Sequence, residues 1–456
     1  MGIRGLTTFI ENRSHFYLEN YQLHDTNLVI DGNSIACQLY RRHNKSLNDS
    51  FGGDYDRFAG IINNFFNTLQ RCNITPLIVY DGGYETKKVH TINSRMKNRI
   101  KAANQLNPTN SFSVFPLFQR HVFEDVVEQR GIKSVRCDFE GDTEITNIAK
   151  ALDCPILSYD SDFFIFDALY IPFSYFEISV KSANDESDVA YKYISCKVYK
   201  VDKFLKSFPG LQKSCLPILA VLLGNDYVKR SVFAVFYQNL KMQTCRGSES
   251  NQQKVIKSLL TWLQNETIES ALSKVLGRYC KAKRQKILKK INVAINGYNS
   301  YESRYMRYLD VNVPKAGPSK HKVDLLSIDI PDEDEEIENN DAHQDQDDDV
   351  SSEEDENVNI PSKFQDKFRR CIYPASFMDI LVRNRYYCVP QVENVALENS
   401  HTYSQATAKK RRKKRKKRED QPENIDDIMN IDDLELNSDD EASFDPNNLF
   451  SVLRNN

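Results

Sequence analysis

Seven carboxylates in this chain stand where a phosphodiesterase working with two metal ions would need them: Asp31, Asp81, Glu140, Asp142, Asp160, Asp162 and Asp226. Asp31 closes the apolar run LVID, Asp81 closes LIVYD and Asp160 closes ILSYD. Each run reads as a buried strand of a parallel sheet, and such sheets bind ligands outside the carboxyl ends of their strands. Three strand ends therefore deliver an aspartate to one crevice. Glu140 with Asp142 and Asp160 with Asp162 add further acid at i and i+2. A lone aspartate after a strand is ordinarily a turn or helix-cap residue. So many acids on one crevice are a different matter, because like charges a few ångströms apart repel unless cations neutralise them. An all-oxygen donor set suits hard divalent ions, magnesium or manganese.

In a two-metal hydrolase one ion acidifies a water toward neutral pH and the other stabilises the leaving oxygen, with the ions about 3.5–4 Å apart. Asp31, Asp81, Glu140, Asp142 and Asp160 are the expected first site, and Asp162 and Asp226 are expected to complete the second. A cluster of cations follows Asp81: Lys87, Lys88, Arg95, Lys97, Arg99 and Lys101. On a helix, Lys88 and Arg95 fall on one face two turns apart. A charge run is usually a solvated face, but its place directly after an acidic strand end favours a phosphate-gripping element. No Gly-rich P-loop is present, and no cysteine or histidine nucleophile has an obvious partner, which argues against a kinase or NTPase.

The elements that must position these groups alternate. Residues 55–71 carry Phe58, Ile61, Ile62, Phe65, Phe66 and Leu69 at helical spacing. A second helix is expected over 116–129, with Val122, Phe123, Val126 and Val127 on one face. A strand near SVRCD leads into a helix over TEITNIAKAL, beside Glu140 and Asp142, and residues 214–300 read as mostly helical. Strand and helix in alternation predict an α/β layer fold with right-handed crossovers and a mostly parallel central sheet flanked by helices.

The formal charge of −3 conceals a segregation. Residues 332–356 hold 15 acids and no Lys or Arg; residues 409–418 are ten consecutive cations; residues 419–456 hold 12 acids and a single Arg. Setting those segments aside leaves 1–331 and 357–408 with a charge of +13. A basic body around an acidic pocket suits a polyphosphate substrate, attracted at long range and received by metals. The acidic segment is too charged to bury itself and is expected to be disordered. Lys409, Lys410, Arg411, Arg412, Lys413, Lys414, Arg415, Lys416, Lys417 and Arg418 have the composition of a nuclear localisation signal. The ten cysteines show no metal spacing, which fits reduced thiols in an intracellular protein. No apolar stretch approaches membrane-spanning length.

MGIRGL, IDGNS, VYDGG, the Glu140/Asp142 and Asp160/Asp162 pairs and LLGNDYV occur in an order that resembles the flap-endonuclease (XPG-type, PIN-like) superfamily. Within it the chain is similar to the asteroid family of nuclease-like proteins, through CPILSYDSDFFIF, YIPF and the distal YPASFMDILVRNRYYCVPQVEN. The likeness covers residues 1–230 and, less fully, 360–396; residues 231–330 add little to it. It implies a nuclease core over 1–230 with a basic arch near 84–105. A helical extension over 231–330, a disordered acidic linker over 331–359, a packed segment over 360–396 and a disordered tail over 397–456 are then expected to follow. It also implies that all seven acids hold two magnesium ions, with manganese as a possible substitute. By the same likeness Lys88 and Arg95 are the catalytic basic pair; Lys87, Lys97, Arg99 and Lys101, by their place after Asp81, are expected to bind the DNA. Gly2 matches an N-terminal glycine whose backbone closely approaches the site.

Three departures bear on the substrate. The segment after Asp226, YVKRSVFAVFYQNL, lacks the glycines of the helix–two-turn–helix with which flap endonucleases hold duplex through potassium. Cys37 stands where they place a base-stacking tyrosine, with Tyr40 as a weak substitute, and no sliding-clamp peptide is evident near the C-terminus. The expectation is therefore a nuclear, metal-dependent endonuclease of DNA repair acting on single-stranded or overhang DNA, with repair proteins as partners through the charged tails. The alternative is a nuclease fold kept as a non-catalytic scaffold for nucleic acid or protein. RNA as substrate shares the same chemistry.

Overall fold

The structure, a computed structural model, describes residues 2–43, 53–84, 89–105, 114–185, 188–225, 227–242, 250–299, 302–311, 325–327, 330, 360 and 362–378. Lys87, Lys88, Asp226, the acidic linker 332–356 and the basic run 409–418 lie outside the described residues. The described residues fall within one unit, Met1–Leu381, and residues 382–456 lie outside the described residues.

Eight strands build one sheet: β1 (Leu18–Leu23), β2 (Thr26–Asp31), β3 (Ile74–Tyr80), β4 (Ser134–Arg136), β5 (Ile156–Ser158), β6 (Tyr170–Pro172), β7 (Phe176–Asn184) and β8 (Ala190–Tyr199). Their order is β1-β8-β6-β5-β2-β3-β4, with β7 also paired to β8. The run β6-β5-β2-β3-β4 is parallel throughout. The β7–β8 hairpin and β1 add an antiparallel flank that the run of motifs did not announce.

The three motif strands look continuous in hydrophobicity because both sheet faces are covered. Along β2, Leu28 and Ile30 point into one apolar cluster and Val29 into the other. Along β3, Leu77 and Val79 share a cluster with Val29, while Ile78 and Tyr80 share one with Leu28 and Ile30. One cover is formed by the helices Gly32–Arg42, Tyr55–Arg71 and Gln119–Gln129, the last beginning three residues later than its apolar pattern predicts. The other is formed by Leu6–Glu11, Asp142–Ala151 and the helices Leu216–Leu223, Asn251–Leu263, Ile268–Leu276 and Lys281–Asn296. The helices within 231–299 thus close a face of the same core. No helix among the described residues is long and apolar enough to cross a membrane.

Of the distal segment, residues 362–378 are described, and the helix Ser362–Arg369 packs on β4, the edge strand. Phe368 is fully buried there, with the Arg136 guanidinium 5.7 Å from its ring.

Candidate metal centre

The strand-end acids occupy the positions their runs imply, and two are helix caps as well. Asp31 ends β2 and caps the helix Gly32–Arg42, its Oδ1 accepting from the Ser34 amide at 3.0 Å. Asp160 caps the short turn Ser161–Phe164, its Oδ1 accepting from the Asp162 amide at 3.1 Å. The ordinary explanation of an aspartate after a strand is therefore true of both. It does not exhaust them, since each also faces further acids.

Asp142, in the first turn of the helix Asp142–Ala151, meets Asp160 and Asp162 so closely that one ligand oxygen from each lies within 4.8 Å of the others. Asp81 joins from the end of β3, accepting from the Asn33 side chain and from the Gly141 amide, each at 2.8 Å. Asp31 is 7% exposed. Its carboxyl is pushed up to about 7, first by burial and then by Asp81, against the hydrogen bonds from Ser34 and Ser158. Asp142 is raised well above the usual carboxylate range by burial and then by Asp160, Asp81, Asp162 and Asp31. These acids sense one another's charge, as a cation site requires. Glu140 lies half-buried two residues before Asp142. Asp226 lies outside the described residues, next to the described Asn225.

Several positioning residues are not singled out by the sequence pattern, although Ser158 and Tyr170 lie inside the CPILSYDSDFFIF and YIPF motifs. Ser158, fully buried, donates to Asp31 Oδ2 at 2.7 Å and accepts from the Asp160 amide at 3.1 Å, linking the ends of β2 and β5. Tyr170 shares its phenol proton between the carbonyls of Ser158 and Asp160 at 3.2 and 3.0 Å, so the YIPF motif grips the acidic turn. Tyr298, just past the helix Lys281–Asn296, donates to Asp162 Oδ1 at 2.6 Å. Burial and the Asp162 charge hold its phenol protonated. Nothing in the pattern of residues 231–330 marks such a contact, because a lone tyrosine after a basic helix reads as surface.

Two glycines are required by space. A Cβ on Gly2 would lie 2.1 Å from Asp160 Oδ1 and 2.2 Å from Ser161 Oγ. A Cβ on Gly82 would lie 2.0 Å from the Cys137 carbonyl, where the loops after β3 and β4 pack backbone to backbone.

The basic group is only partly among the described residues. The helix Val89–Asn104 carries Arg95 half-buried and Lys97, Arg99 and Lys101 exposed. A cation that the sequence did not single out, Arg120, lies in the first turn of the helix Gln119–Gln129 beside Cys37, Tyr84 and Asp81. Burial opposes its charge, but those neighbours outweigh burial and raise its pKa. Tyr40 cannot stack on a base: it is fully buried, 5.1 Å from the Phe58 ring and 6.0 Å from that of Phe115. Its place on the inner face of the helix is set by the 3.6-residue period, which brings Cys37 to the site side instead.

Residues 1–102 match the XPG N-terminal domain, and residues 210–302 match the FAM120A-like domain, which takes in Tyr298 and Asn225. Over 479 residues the chain is 33% identical to Protein asteroid of Drosophila melanogaster, covering 88% of this chain and 56% of that one. It is 35% identical over 274 residues to the single-strand DNA endonuclease ASTE1 of Homo sapiens, covering 58% and 39%. The chain spans about half, or less, of the length of these curated relatives. Among solved structures it is similar to the catalytic core of Rad2 in complex with DNA substrate, at a TM-score of 0.36 and 18% identity, covering 71% of this chain and 92% of that one.

Proposed function

We propose that this chain is a member of the asteroid family within the XPG-like superfamily and that its acidic pocket is the active site of a metal-dependent DNA endonuclease. Its substrate in this reading is single-stranded, overhang or flap-type DNA, and its setting is DNA repair. The observation that carries the reading is the convergence of Asp142, Asp160 and Asp162, with their oxygens within 4.8 Å and Asp31 and Asp81 alongside.

The donor set fits magnesium, with manganese as a substitute: it is all carboxylate, with no cysteine or histidine in the cluster. Divalent ions bound there would supply a water acidified toward neutral pH and neutralise charge on the scissile phosphate and leaving oxygen. The chain's own part is placement. Asp142, Asp160 and Asp162, together with Asp31 and Asp81, which Ser158, Ser34 and Asn33 fix, would hold the ions. In this reading Arg95 and Arg120 would take the non-bridging oxygens of the phosphate, a role that cations fill in phosphate recognition. Exposed Lys97, Arg99 and Lys101 continue the helix beyond them as a path for a strand.

Cleavage of end-labelled single-stranded, flap and overhang DNA, beside matched RNA, tests the proposal. In magnesium the wild type is expected to cut the DNA set, and Asp160→Ala plus Asp162→Ala to cut it at least about 10³-fold more slowly. Equal rates for the two proteins would overturn the catalytic reading in favour of the scaffold. The proposal extends to location, on the ten-cation run at 409–418. A fluorescently tagged chain lacking 409–418 is expected to leave the nucleus; an unchanged distribution removes that part.

A further inference from the structure

The loop between β4 and the helix Asp142–Ala151 carries Glu140 and leads into Asp142, and it is gripped from behind by residues far along the chain. Asp138, 13% exposed at its side chain, is the point of attachment. Arg369, 7% exposed and 231 positions away, donates to it through one edge of its guanidinium, Nε to Oδ1 at 2.8 Å and Nη2 to Oδ2 at 2.7 Å. Arg304 Nη2 adds a third bond to Oδ2 at 2.8 Å, and the Asp138 amide donates to the Tyr305 hydroxyl at 2.9 Å. On the other side the Gly82 and Gly83 amides donate to the Phe139 and Asp138 carbonyls at 2.7 and 2.9 Å, joining this loop to the one after Asp81. The returning segment is also tied to β4 itself. Arg136, 1% exposed, donates to the Tyr373 carbonyl, and Ser134 Oγ lies 3.8 Å from Cys371 Sγ.

We propose that Arg369 is a positioning residue for the metal centre: through Asp138 it holds the loop that presents Glu140 and Asp142 at ligand spacing. The inference rests on the metal-dependent reading above, and its physical basis is repulsion. Before any cation arrives, Asp142 faces Asp160, Asp81, Asp162 and Asp31, and each pushes its loop away from the others. A loop of short backbone links needs a restraint that opposes this push. The planar, two-pronged pairing of a guanidinium with a carboxylate restrains direction as well as distance, which an ammonium cannot do. The arrangement also gives the distal YPASF segment a purpose. Its Tyr373 carbonyl accepts from Arg136 on the edge strand, and the helix Ser362–Arg369 before it packs on that strand and, through Arg369, braces the acids that β4 leads to.

The test uses the full chain with Arg369→Gln, Asp138→Asn, the double variant and Arg369→Lys. Two quantities are read: amide hydrogen exchange of residues 138–142 in metal-free protein, and manganese affinity by calorimetry. The variants Arg369→Gln and Asp138→Asn are each expected to speed exchange at 138–142 and weaken manganese binding about tenfold, the scale of lost outer-shell support at metal sites. The double variant is expected to be no worse than these singles, and Arg369→Lys is expected to retain only part of the wild-type behaviour. A melting temperature lowered in every variant, with wild-type exchange at 138–142 and wild-type manganese affinity, would overturn the proposal. Should the wild type bind no manganese, the metal reading fails on its own, and exchange at 138–142 alone decides whether Arg369 restrains the loop.

Discussion

Asp142→Asn is expected to move stability and activity in opposite directions: the metal-free protein melts higher, while cleavage in magnesium falls by about 10³-fold. The sign of the first effect follows from competing terms. A carboxylate in the first turn of a helix gains roughly 0.3–1 kcal/mol from the helix dipole, and the amide gives most of that up. Against it stands a pKa raised well above the ordinary value by burial and four neighbouring acids. Each tenfold weakening of an acid represents about 1.4 kcal/mol unfavourable to its charged form. Repulsion and burial outweigh the dipole, so removing the charge is a net gain, and each kcal/mol of it raises the melting temperature by about 2–4 °C in a body of this size or somewhat less. The second effect follows from the same charge. A rate loss of about 10³ corresponds to roughly 4 kcal/mol of transition-state stabilisation, within what a metal's charge provides. Differential scanning fluorimetry in chelator and a single-turnover cleavage assay read the two outcomes. A variant that melts lower and still cuts at the wild-type rate would mean that Asp142 is an ordinary helix-start residue.

The acids were legible because each is tied to a pattern that shows in the chain. An aspartate closing a continuous apolar run sits at a strand end, and Asp31, Asp81 and Asp160 follow β2, β3 and β5 on adjacent strands. The layered architecture was legible for the same reason: runs without alternation signal strands covered on both faces. What supports the acids was not. Ser158 and Tyr170 act through hydrogen bonds whose partners are set by sheet register, and Tyr298 reaches Asp162 across 136 positions. Such contacts leave no periodicity. Arg120 was hidden because a cation at a helix start, where the dipole disfavours it, shows no local reason for its place. Tyr40 misled because identity alone suggested a stacking ring, whereas its spacing from Ala36 and Leu39 puts it on the buried face.

The other large effect expected is a linkage between protons and metal that runs through Asp31. Its carboxyl titrates near 7 in the folded protein against 3.8 for the group in its ordinary state, chiefly because it is buried and then because Asp81 is close. A folded pKa raised above the unfolded one means that the folded state holds the extra proton between those values, so stability falls as pH rises. Asp31's contribution is therefore largest below about pH 4, is lost progressively up to about pH 7 and levels off above it. The displacement of its pKa from 3.8 to about 7 corresponds to about 4 kcal/mol across that window. The isosteric Asp31→Asn isolates the group, since its amide oxygen can still accept from Ser34. In chelator the variant is expected to match the wild type near pH 4 and to exceed it by several kcal/mol near pH 8. Metal reverses the order. A divalent ion replaces the proton as the partner of the ionised carboxylate, so millimolar manganese is expected to raise the wild-type melting temperature strongly near pH 8 and little near pH 5. At about a hundred times the dissociation constant the stabilisation is roughly 2.7 kcal/mol for one site. Urea melts of both proteins across pH, with and without manganese, read all four arms. A wild-type minus variant difference that is flat between pH 4 and 8 would show that Asp31 titrates normally. A manganese increment equal at pH 5 and pH 8 would show that the ion binds without displacing protons from this pocket, and the acids would then need another reason to be crowded together.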